Sequence, residues 1–329
     1  MLVSEMEIRD KWFVIINPIA GRGCGLTDWP HISRLLRENR VMHDYAFTEY
    51  KCHASELAVE AVSQGYRKII VVGGDGTIHE VVNGLFVQKA VATGEVLLAV
   101  IAVGTGNDWI RMFGIPRKYS QAIKAIVGGH SLLQDVGRVS YYESSYRQSR
   151  YMANVAGVGL EATVIKNYAH MVRKRRGGKW RYVWSLIKSV VTYRPSGMKI
   201  WVDERMVAND WVLSAAIGIC KYNGGGMLQV PRAIPDDGLF DITVIRRMNL
   251  FRIATCFAAL FNGRIYDVRQ ASLYRGRKIR LEASPDVLLE LDGELIGNTP
   301  VELEIIDKAL NVIVSENYIK EKRQGNVSE

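Results

Sequence analysis

Apolar runs and amphipathic stretches alternate along the first part of the chain. Apolar runs at residues 12–16, 68–72 and 97–103 predict strands, and amphipathic stretches at 32–38, 54–63 and 78–86 predict helices. Residues 69–72 are all apolar and β-branched, so we expect both faces of that strand to be buried, as in a parallel sheet covered by helices. This order of elements predicts an α/β domain over residues 1–134.

The pattern changes after about residue 135. Short strand-like runs at 151–155, 199–202, 211–219, 240–245 and 287–291 are separated by turns, which predicts a β-rich second domain over residues 135–315. A basic amphipathic segment at 164–192 interrupts these runs. The polar tail at 316–329 is expected either to fray or to fold back onto the first domain. The length of 329 residues also favours two domains over one.

Composition narrows the class of protein. The longest apolar run, at 96–103, is far shorter than the roughly 18 residues of a membrane span, and acids near the N-terminus argue against a signal peptide, so we expect a cytoplasmic protein. The net charge of +9 indicates an anionic partner without choosing among nucleic acid, anionic lipid and phosphorylated ligands. Neither disulfides nor a zinc site is predicted, because the cysteines are far apart: Cys24, Cys52, Cys220 and Cys256.

Glycine-rich turns follow three predicted strands of the first domain. Glycine lets backbone amides approach phosphate closely, and open α/β sheets bind ligands at the carboxyl ends of their strands. Asp75 beside a phosphate predicts Mg²⁺, although a helix cap is the alternative role for this residue. The turns are Asn17-Pro18-Ile19-Ala20-Gly21-Arg22-Gly23, Gly73-Gly74-Asp75-Gly76-Thr77 and Gly104-Thr105-Gly106-Asn107-Asp108.

These turns and two later motifs together resemble the diacylglycerol kinase catalytic domain superfamily, in its bacterial soluble lipid kinase branch, which is related to the sphingosine kinases. The resemblance covers about residues 12–315. It implies an N-terminal α/β nucleotide-binding domain like those of NAD kinases and diacylglycerol kinases, a C-terminal β-sandwich domain, and an active site in the cleft between them. The later motifs are Asp236-Asp237-Gly238-Leu239-Phe240-Asp241 and Asp292-Gly293-Glu294.

The resemblance implies an ATP-dependent lipid kinase, with diacylglycerol as the default acceptor and a sphingoid base or another hydroxylated lipid as the alternative. Asp75 and Asp108 would organise the catalytic Mg²⁺. Glu294 falls at the position of the general base with Asp292 as its assistant, although which of the two takes the proton stays open. The residues implied to bind ATP are Asn17, Pro18, Gly21, Thr48, Gly73, Gly74, Asp75, Gly76, Thr77, His79, Gly104, Thr105 and Asn107.

The resemblance also implies a second, structural Mg²⁺ site. The carboxylate of Asp237 and the backbone carbonyls of Ile234 and Leu239 would be its ligands, and an exposed turn is the alternative reading. By contrast, Gly157-Val158-Gly159-Leu160-Glu161-Ala162 imitates a dinucleotide-binding fingerprint but lies in the β-rich part, so we expect it to serve packing.

A basic and aromatic cluster is predicted to dock the enzyme peripherally on anionic membranes. The alternative is a solvated helix face whose aromatic residues pack into the second domain. We expect no nucleic-acid binding, because no recognition motif accompanies the charge, and a homodimer is left open. An NAD kinase and a non-catalytic basic protein are the rival functions. The cluster comprises Arg173, Lys174, Arg175, Arg176, Lys179, Trp180 and Arg181.

Overall fold

The computed structural model describes residues 8–104, 106–143, 146–174, 188–190 and 192–325. The chain divides into two compact units, each described here by itself. The first comprises Met1–Val136, Ile234–Asp237 and Ile306–Glu329, and the second comprises Gly137–Ala233 and Gly238–Ile305.

The bounds of the elements are as follows. The strands are β1 (Trp12–Ile16), β2 (His43–Phe47), β3 (Lys68–Gly73), β4 (Leu97–Ala102), β5 (Ser131–Glu143), β6 (Tyr146–Met152), β7 (Val155–Gly159), β8 (Ser196–Val202), β9 (Arg205–Gly218), β10 (Tyr222–Asn223), β11 (Met227–Leu228), β12 (Phe240–Arg246), β13 (Ala271–Gly276), β14 (Lys278–Ser284), β15 (Leu288–Leu291) and β16 (Glu294–Ile313). The helices are α1 (Ala20–Thr27), α2 (Trp29–Glu38), α3 (His53–Ser63), α4 (Asp75–Val87), α5 (Asp108–Met112), α6 (Tyr119–Gly128), α7 (Leu160–Lys174), α8 (Leu250–Asn262) and α9 (Glu316–Arg323).

The first unit is built on a parallel sheet in the order β4–β3–β1–β2, and the last residues of β16 pair with β4. Every residue from Ile69 to Val72 is completely buried, as the run of β-branched residues predicted. Alternate strand residues, such as Val14, Ile70 and Ala99, form one core with α2 and α6. The α/β expectation for this part of the chain is therefore confirmed.

The C-terminal tail packs on the first unit. Ser315 caps α9, since its Oγ accepts a hydrogen bond from the backbone N–H of Tyr318 at 3.1 Å. The buried ring of Tyr318 meets the ring of Phe113 edge-on, with 5.5 Å between centroids. The tail thereby packs against the residue that follows α5.

The second unit is the predicted β-sandwich. One group of strands pairs in the order β13–β12–β9–β7–β15–β16. In a second group, β8 pairs with β9 and with β14, and β14 pairs with β16. These two long strands take part in both sets of pairings: β9 contacts β8 through its first half and β7 through its second. Helices α7 and α8 supply apolar side chains to the core that adjoins the sheet.

Two features of the second unit differ from the pattern-based prediction. The expected strand at 151–155 is broken at Ala153 and Asn154, because both backbone amides donate to a side chain instead of continuing a ladder. Helix α8 was not predicted. Within the part of the chain that the structure describes, no helix has both the length and the apolar character needed to span a membrane.

Candidate active site

The glycine turns after β3 and β4 touch through their backbones. Strand β3 ends at Gly73 and α4 begins at Asp75, with Gly74 in extended conformation at the N-cap. The carbonyl of Gly73 accepts the N–H of Val103 at 3.0 Å. A Cβ atom on Gly104 would lie 2.7 Å from the Cα of Gly74, so only glycine permits this approach. The N-terminal end of a helix carries partial positive charge and favours phosphate.

The turn after β1 joins the same edge of the sheet. The Nδ2 of Asn17 donates to the Oγ1 of Thr77 at 3.0 Å. Gly21 has a φ of 60°, and a Cβ atom there would lie 1.8 Å from the carbonyl oxygen of Val103. The backbone is left-handed from Gly21 through Gly23, which interrupts α1. The structure thus brings the three glycine turns together.

The other residues implied to bind ATP lie around these turns. Pro18 follows Asn17 in the first turn, and Gly76 lies in the first turn of α4. Thr48 follows β2, and its N–H donates to the carbonyl of Ile16 at 2.8 Å. His79 is a buried residue of α4. Its Nε2 lies 3.3 Å from the Nδ2 of Asn83, which is on the next turn of the same helix. Thr105 lies outside the described residues.

Asp75 and Asp108 converge above Gly106. A Cβ atom on Gly106 would lie 3.1 Å from the Oδ2 of Asp75 and 3.8 Å from the Oδ2 of Asp108. The Oδ1 of Asp75 accepts the backbone N–H of Trp109 at 3.2 Å. The start of α5 therefore holds both carboxylates at one point.

Burial and then the charge of Asp108 raise the pKa of Asp75 to about 6, against the lowering effect of neighbouring backbone amides. Two carboxylates that repel each other beside a phosphate-binding turn fit a hard dication, which in nucleotide sites is held by one or two carboxylates together with phosphate and water. Among the described residues, no group of three or more histidine, cysteine or acidic side chains forms a metal cluster. The residues present fit a Mg²⁺ that is shared with a bound nucleotide.

A basic cleft of about 340 Å³ opens beside the same turns and was not predicted. Two of its residues, Arg117 and Lys118, carry positive charge next to Gly104. They precede α6 and form no motif, so the sequence offered no signal for them except their charge. The cleft is lined by Ala102, Val103, Gly104, Asn107, Arg117, Lys118 and Tyr119.

The Asp292–Glu294 turn joins β15 to β16 in the second unit. Asp292 and Gly293 both have positive φ, at 50° and 90°, as a tight hairpin requires. The carboxylate of Asp292 is buried and accepts the backbone amides of Ala153 and Asn154. Glu294 is only partly buried. Asp292 thus braces the turn, and Glu294 is the more accessible acid.

An apolar cavity of about 50 Å³ lies in the second unit. Two acidic residues are among those that line it: Glu161 from α7 and Glu290 from β15. Burial raises the pKa of Glu161 to about 7. Burial and then the charge of Glu161 raise the pKa of Glu290 to about 8. The cavity is lined by Leu160, Glu161, Val164, Ile165, Leu213, Ser214, Asn223, Gly224, Met227, Gln229, Ile245, Ile253, Cys256, Phe257, Leu260 and Glu290.

Sequence reasoning missed this cavity, since its residues come from distant elements. Its sequence signal was the imitation of a dinucleotide fingerprint, which contains Gly157, Leu160 and Glu161. Gly157 is buried, and both acids approach it.

The structural Mg²⁺ site and the basic cluster stay predictions. Ile234 and Asp237 belong to the first unit and Leu239 to the second, so the structural Mg²⁺ site stays a prediction. In the basic cluster, the backbone of Arg173 and Lys174 continues α7, and the members from Arg175 to Arg181 lie outside the described residues.

Comparison with known proteins agrees with this architecture. Residues 11–139 match the model of the diacylglycerol kinase catalytic domain, and residues 154–314 match that of the YegS C-terminal NAD kinase beta sandwich-like domain. The chain is 29% identical over 301 residues to a Bacillus subtilis protein named "Putative lipid kinase YtlR", covering 89% of this chain and 96% of that one. It is 27% identical over 308 residues to the diacylglycerol kinase of Mycobacterium tuberculosis, covering 92% and 94%.

A solved structure supports the same fold. The crystal structure of a diacylglycerol kinase from Bacillus anthracis superposes with a TM-score of 0.74 at 24% identity, covering 94% of this chain and 98% of that one. Both domain matches fall on the units that carry the glycine turns and the β-sandwich. The chain therefore belongs to the diacylglycerol kinase catalytic domain superfamily and is a two-domain lipid kinase of its bacterial branch.

Proposed function

We propose that this enzyme transfers the γ-phosphoryl group of ATP to a hydroxyl of diacylglycerol, which gives phosphatidic acid. The observation that carries the choice of a lipid is the cavity of the second unit, whose lining is almost wholly apolar. An acyl chain gains about 0.8 kcal/mol for each methylene group that leaves water. The lining therefore favours a lipid over a polar acceptor such as NAD.

We assign the nucleotide to the first unit. The phosphate would bind where α4 begins and where Gly74 contacts Gly104. Because both residues are glycines, no side chain separates the backbone from the phosphate. Arg117 and Lys118 add positive charge beside it. Asn17 and Thr77 hold two of the turns at a fixed spacing.

Asp75 and Asp108 are the residues that would hold Mg²⁺. When bound, this ion withdraws charge from the phosphate oxygens and so favours transfer. The two carboxylates remain in place through the amide of Trp109 and the start of α5. Burial, followed by the charge of Asp108, raises the pKa of Asp75, as is expected of a pair of acids prepared for a dication.

Glu294 is assigned as the general base. It takes the proton from the lipid hydroxyl while that oxygen forms a bond to the γ-phosphorus, the bond from this phosphorus to the bridging oxygen breaks, and ADP leaves. Asp292 assists by fixing the turn through the amides of Ala153 and Asn154. Removal of the proton leaves the acceptor oxygen with the electron pair that the new bond needs.

The acceptor lipid resides in membranes, so we place the enzyme peripherally at an anionic membrane surface. The support is the sequence of the basic cluster, in which Trp180 lies between Lys179 and Arg181 and four further basic residues precede them. This assignment is independent of the identity of the acceptor.

The direct test offers purified enzyme Mg-ATP together with one of three acceptors: dioctanoylglycerol in detergent, a sphingoid base, or NAD. ADP formation and the mass of the product are measured, with Asp75→Ala as the blank. We expect phosphatidic acid from the glycerolipid. A larger kcat/KM for the sphingoid base would overturn the choice of acceptor alone, and phosphorylation of NAD but of no lipid would overturn the proposal as a whole.

A matched pair of variants on α8 tests the cavity. Cys256 lines the cavity, whereas the neighbouring Thr255 is exposed and is not among the lining residues. Cys256→Trp should raise the KM for dioctanoylglycerol about tenfold or more and leave the KM for ATP unchanged, while Thr255→Trp should change neither. Equal effects of the two variants would contradict the assignment of the acyl chain to this cavity.

A further inference from the structure

The two buried acids of the cavity meet at one point. Strand β7 pairs with β15 so that Gly157 lies directly opposite Glu290. A Cβ atom on Gly157 would lie 2.5 Å from the Oε2 of Glu161 and 2.6 Å from the Oε1 of Glu290. The absence of a side chain at position 157 therefore provides the space in which the two carboxyl groups converge.

Three of the four carboxyl oxygens have assigned donors. The Oε1 of Glu161 accepts the hydroxyl of Ser214 at 2.8 Å. The Oε1 of Glu290 accepts the Nδ2 of Asn223 at 2.7 Å, and its Oε2 accepts the N–H of Gly293 at 2.8 Å. The Oε2 of Glu161 is buried with no hydrogen-bond partner among the described residues. Glu161 lines the cavity, and this oxygen has unused hydrogen-bonding capacity.

Among the described residues, none that lines the cavity compensates negative charge on the pair. The described lining includes no lysine, arginine or histidine. Cys256 on α8 faces Glu161, and burial followed by the charge of Glu161 raises the pKa of its thiol to about 11. Asp292, beyond the turn, adds negative charge next to Glu290. A pair of acids so placed retains protons near neutral pH.

We propose that the Glu161–Glu290 pair is the specificity element of the acceptor site, where a protonated carboxyl on Glu161 donates a hydrogen bond to an ester or hydroxyl oxygen of an uncharged lipid that enters the apolar cavity. This inference rests on the proposed function and names the class of acceptor that the cavity selects.

The pair discriminates by charge. An uncharged glycerolipid supplies the oxygen acceptor that the Oε2 of Glu161 lacks. An anionic amphiphile would meet the acids without any cation to balance it, and burial of such a charge is strongly unfavourable. An ammonium lipid would bind only after the pair releases its protons, so its affinity would rise with pH while that of the uncharged lipid falls.

Glu290 also connects the cavity to the turn of the general base. Its Oε2 holds the N–H of Gly293, the residue that precedes Glu294. Glu290 is thus a positioning residue for the turn. Glu161 makes no such contact in the described structure, so its replacement isolates recognition from positioning.

The test compares Glu161→Gln and Glu161→Ala with Glu302→Gln, an exposed acid of the same unit that serves as control. Kinetics with dioctanoylglycerol micelles are followed from pH 6.5 to pH 9, a range in which this lipid does not titrate. For the wild type, KM for the lipid should rise about tenfold or more across this range, because the pair ionises and the donor is lost. Glu161→Gln keeps a neutral donor and should give a KM near that of the wild type at pH 6.5 and a flat profile. Glu161→Ala should have a raised KM at every pH. The KM for ATP should not differ among the variants.

A second readout needs no catalysis. The shift in thermal midpoint caused by dioctanoylglycerol, in buffer without nucleotide or Mg²⁺, reports binding alone. We expect a shift for the wild type at pH 6.5 that is lost at pH 9, and a shift for Glu161→Gln at both. The midpoints without lipid also show whether each variant is folded.

The outcomes separate the two proposals. If the lipid binds with this pH dependence but is not phosphorylated, the proposed function fails and the inference stands. If the lipid is phosphorylated and Glu161→Gln and Glu161→Ala retain the wild-type KM and pH profile, the inference fails and the function stands. Tighter binding of an ammonium lipid with rising pH, together with weak binding of the glycerolipid, would also overturn the inference.

Discussion

The carboxylate of Asp292 accepts a hydrogen bond from the backbone N–H of Asn154 at 2.9 Å. A second bond from the N–H of Ala153 at 3.1 Å occupies its other oxygen. The strand prediction at 151–155 failed here because these amides leave the ladder. The same bonds assign different roles to the two acids of the turn, since Asp292 braces it and Glu294 is the more accessible.

Asp292→Asn should destabilise the second unit. One oxygen becomes an amide nitrogen, so at least one of the two buried backbone donors faces another donor. The variant loses one charge-assisted hydrogen bond and leaves a buried donor without an acceptor. Together these should lower the free energy of unfolding by about 2–3 kcal/mol. Thermal or urea unfolding measures this loss, and the exposed Asp267→Asn is the control. Wild-type stability of Asp292→Asn would remove the bracing role.

Glu294→Gln should affect chemistry and leave stability unchanged. Glutamine keeps the size and polarity of the side chain but takes no proton, and loss of a general base lowers kcat by about 10²–10⁴-fold. Turnover with dioctanoylglycerol and equilibrium binding of ATP are measured together. An equal loss in nucleotide binding and turnover would make Glu294 a structural residue instead.

Asp75→Asn should abolish turnover yet stabilise the metal-free protein. The pKa of Asp75 is raised from 3.8 to about 6, so the folded state holds the proton more tightly than the unfolded state. The free energy of unfolding therefore falls by about 1–3 kcal/mol as pH rises from about 4 to about 6, and it stays at this lower value above pH 6. The variant removes this penalty.

Unfolding in EDTA tests the sign of this effect. The variant should be more stable than the wild type at pH 7.5 and equal to it below pH 4. Addition of Mg-ATP should stabilise the wild type only. A variant that is less stable than the wild type at pH 7.5 would refute the raised pKa of Asp75.

Gly21→Ala and Gly23→Ala form a matched pair in the first glycine turn. Both residues have positive φ, but only at Gly21 would a Cβ atom strike the backbone, 1.8 Å from the carbonyl oxygen of Val103; nothing lies within 4 Å at Gly23. Gly23→Ala should cost about 1–2 kcal/mol of conformational strain. Gly21→Ala should lower the free energy of unfolding by more than Gly23→Ala does, and it should also weaken ATP binding. Scanning calorimetry measures the first effect and titration calorimetry the second. Equal losses would mean that the close approach to Val103 is unimportant.

Replacement of Lys174, Arg175 and Arg176 by serine should weaken binding to anionic vesicles. Each basic residue near an anionic leaflet contributes about 1 kcal/mol, and salt screens this attraction. Vesicle sedimentation should therefore fall for the triple variant and for the wild type at high salt, while activity on a water-soluble short-chain acceptor persists. Unchanged sedimentation in both cases would leave the cluster as a solvated helix face.

Much of the first unit was predictable because its signals are local. A run such as Ile69–Val72 identifies a buried parallel strand by itself, and the glycines that follow it predict a phosphate-binding turn. The positions of Arg117 and Lys118 beside Gly104 were not predictable, since two adjacent basic residues before a helix are common on any surface.

The sequence by itself determined the order of the two domains, the glycine turns and the acids within them, because strand burial and glycine conformation depend on neighbouring residues. Only the tertiary structure decided that Glu161 and Glu290 share one point in an apolar cavity. The register of β7 against β15 places Gly157 opposite Glu290, and the turn into α7 then brings Glu161 over the same glycine. Long-range strand pairing sets this register, and a carboxyl group acquires a raised pKa only from surroundings that such pairing assembles.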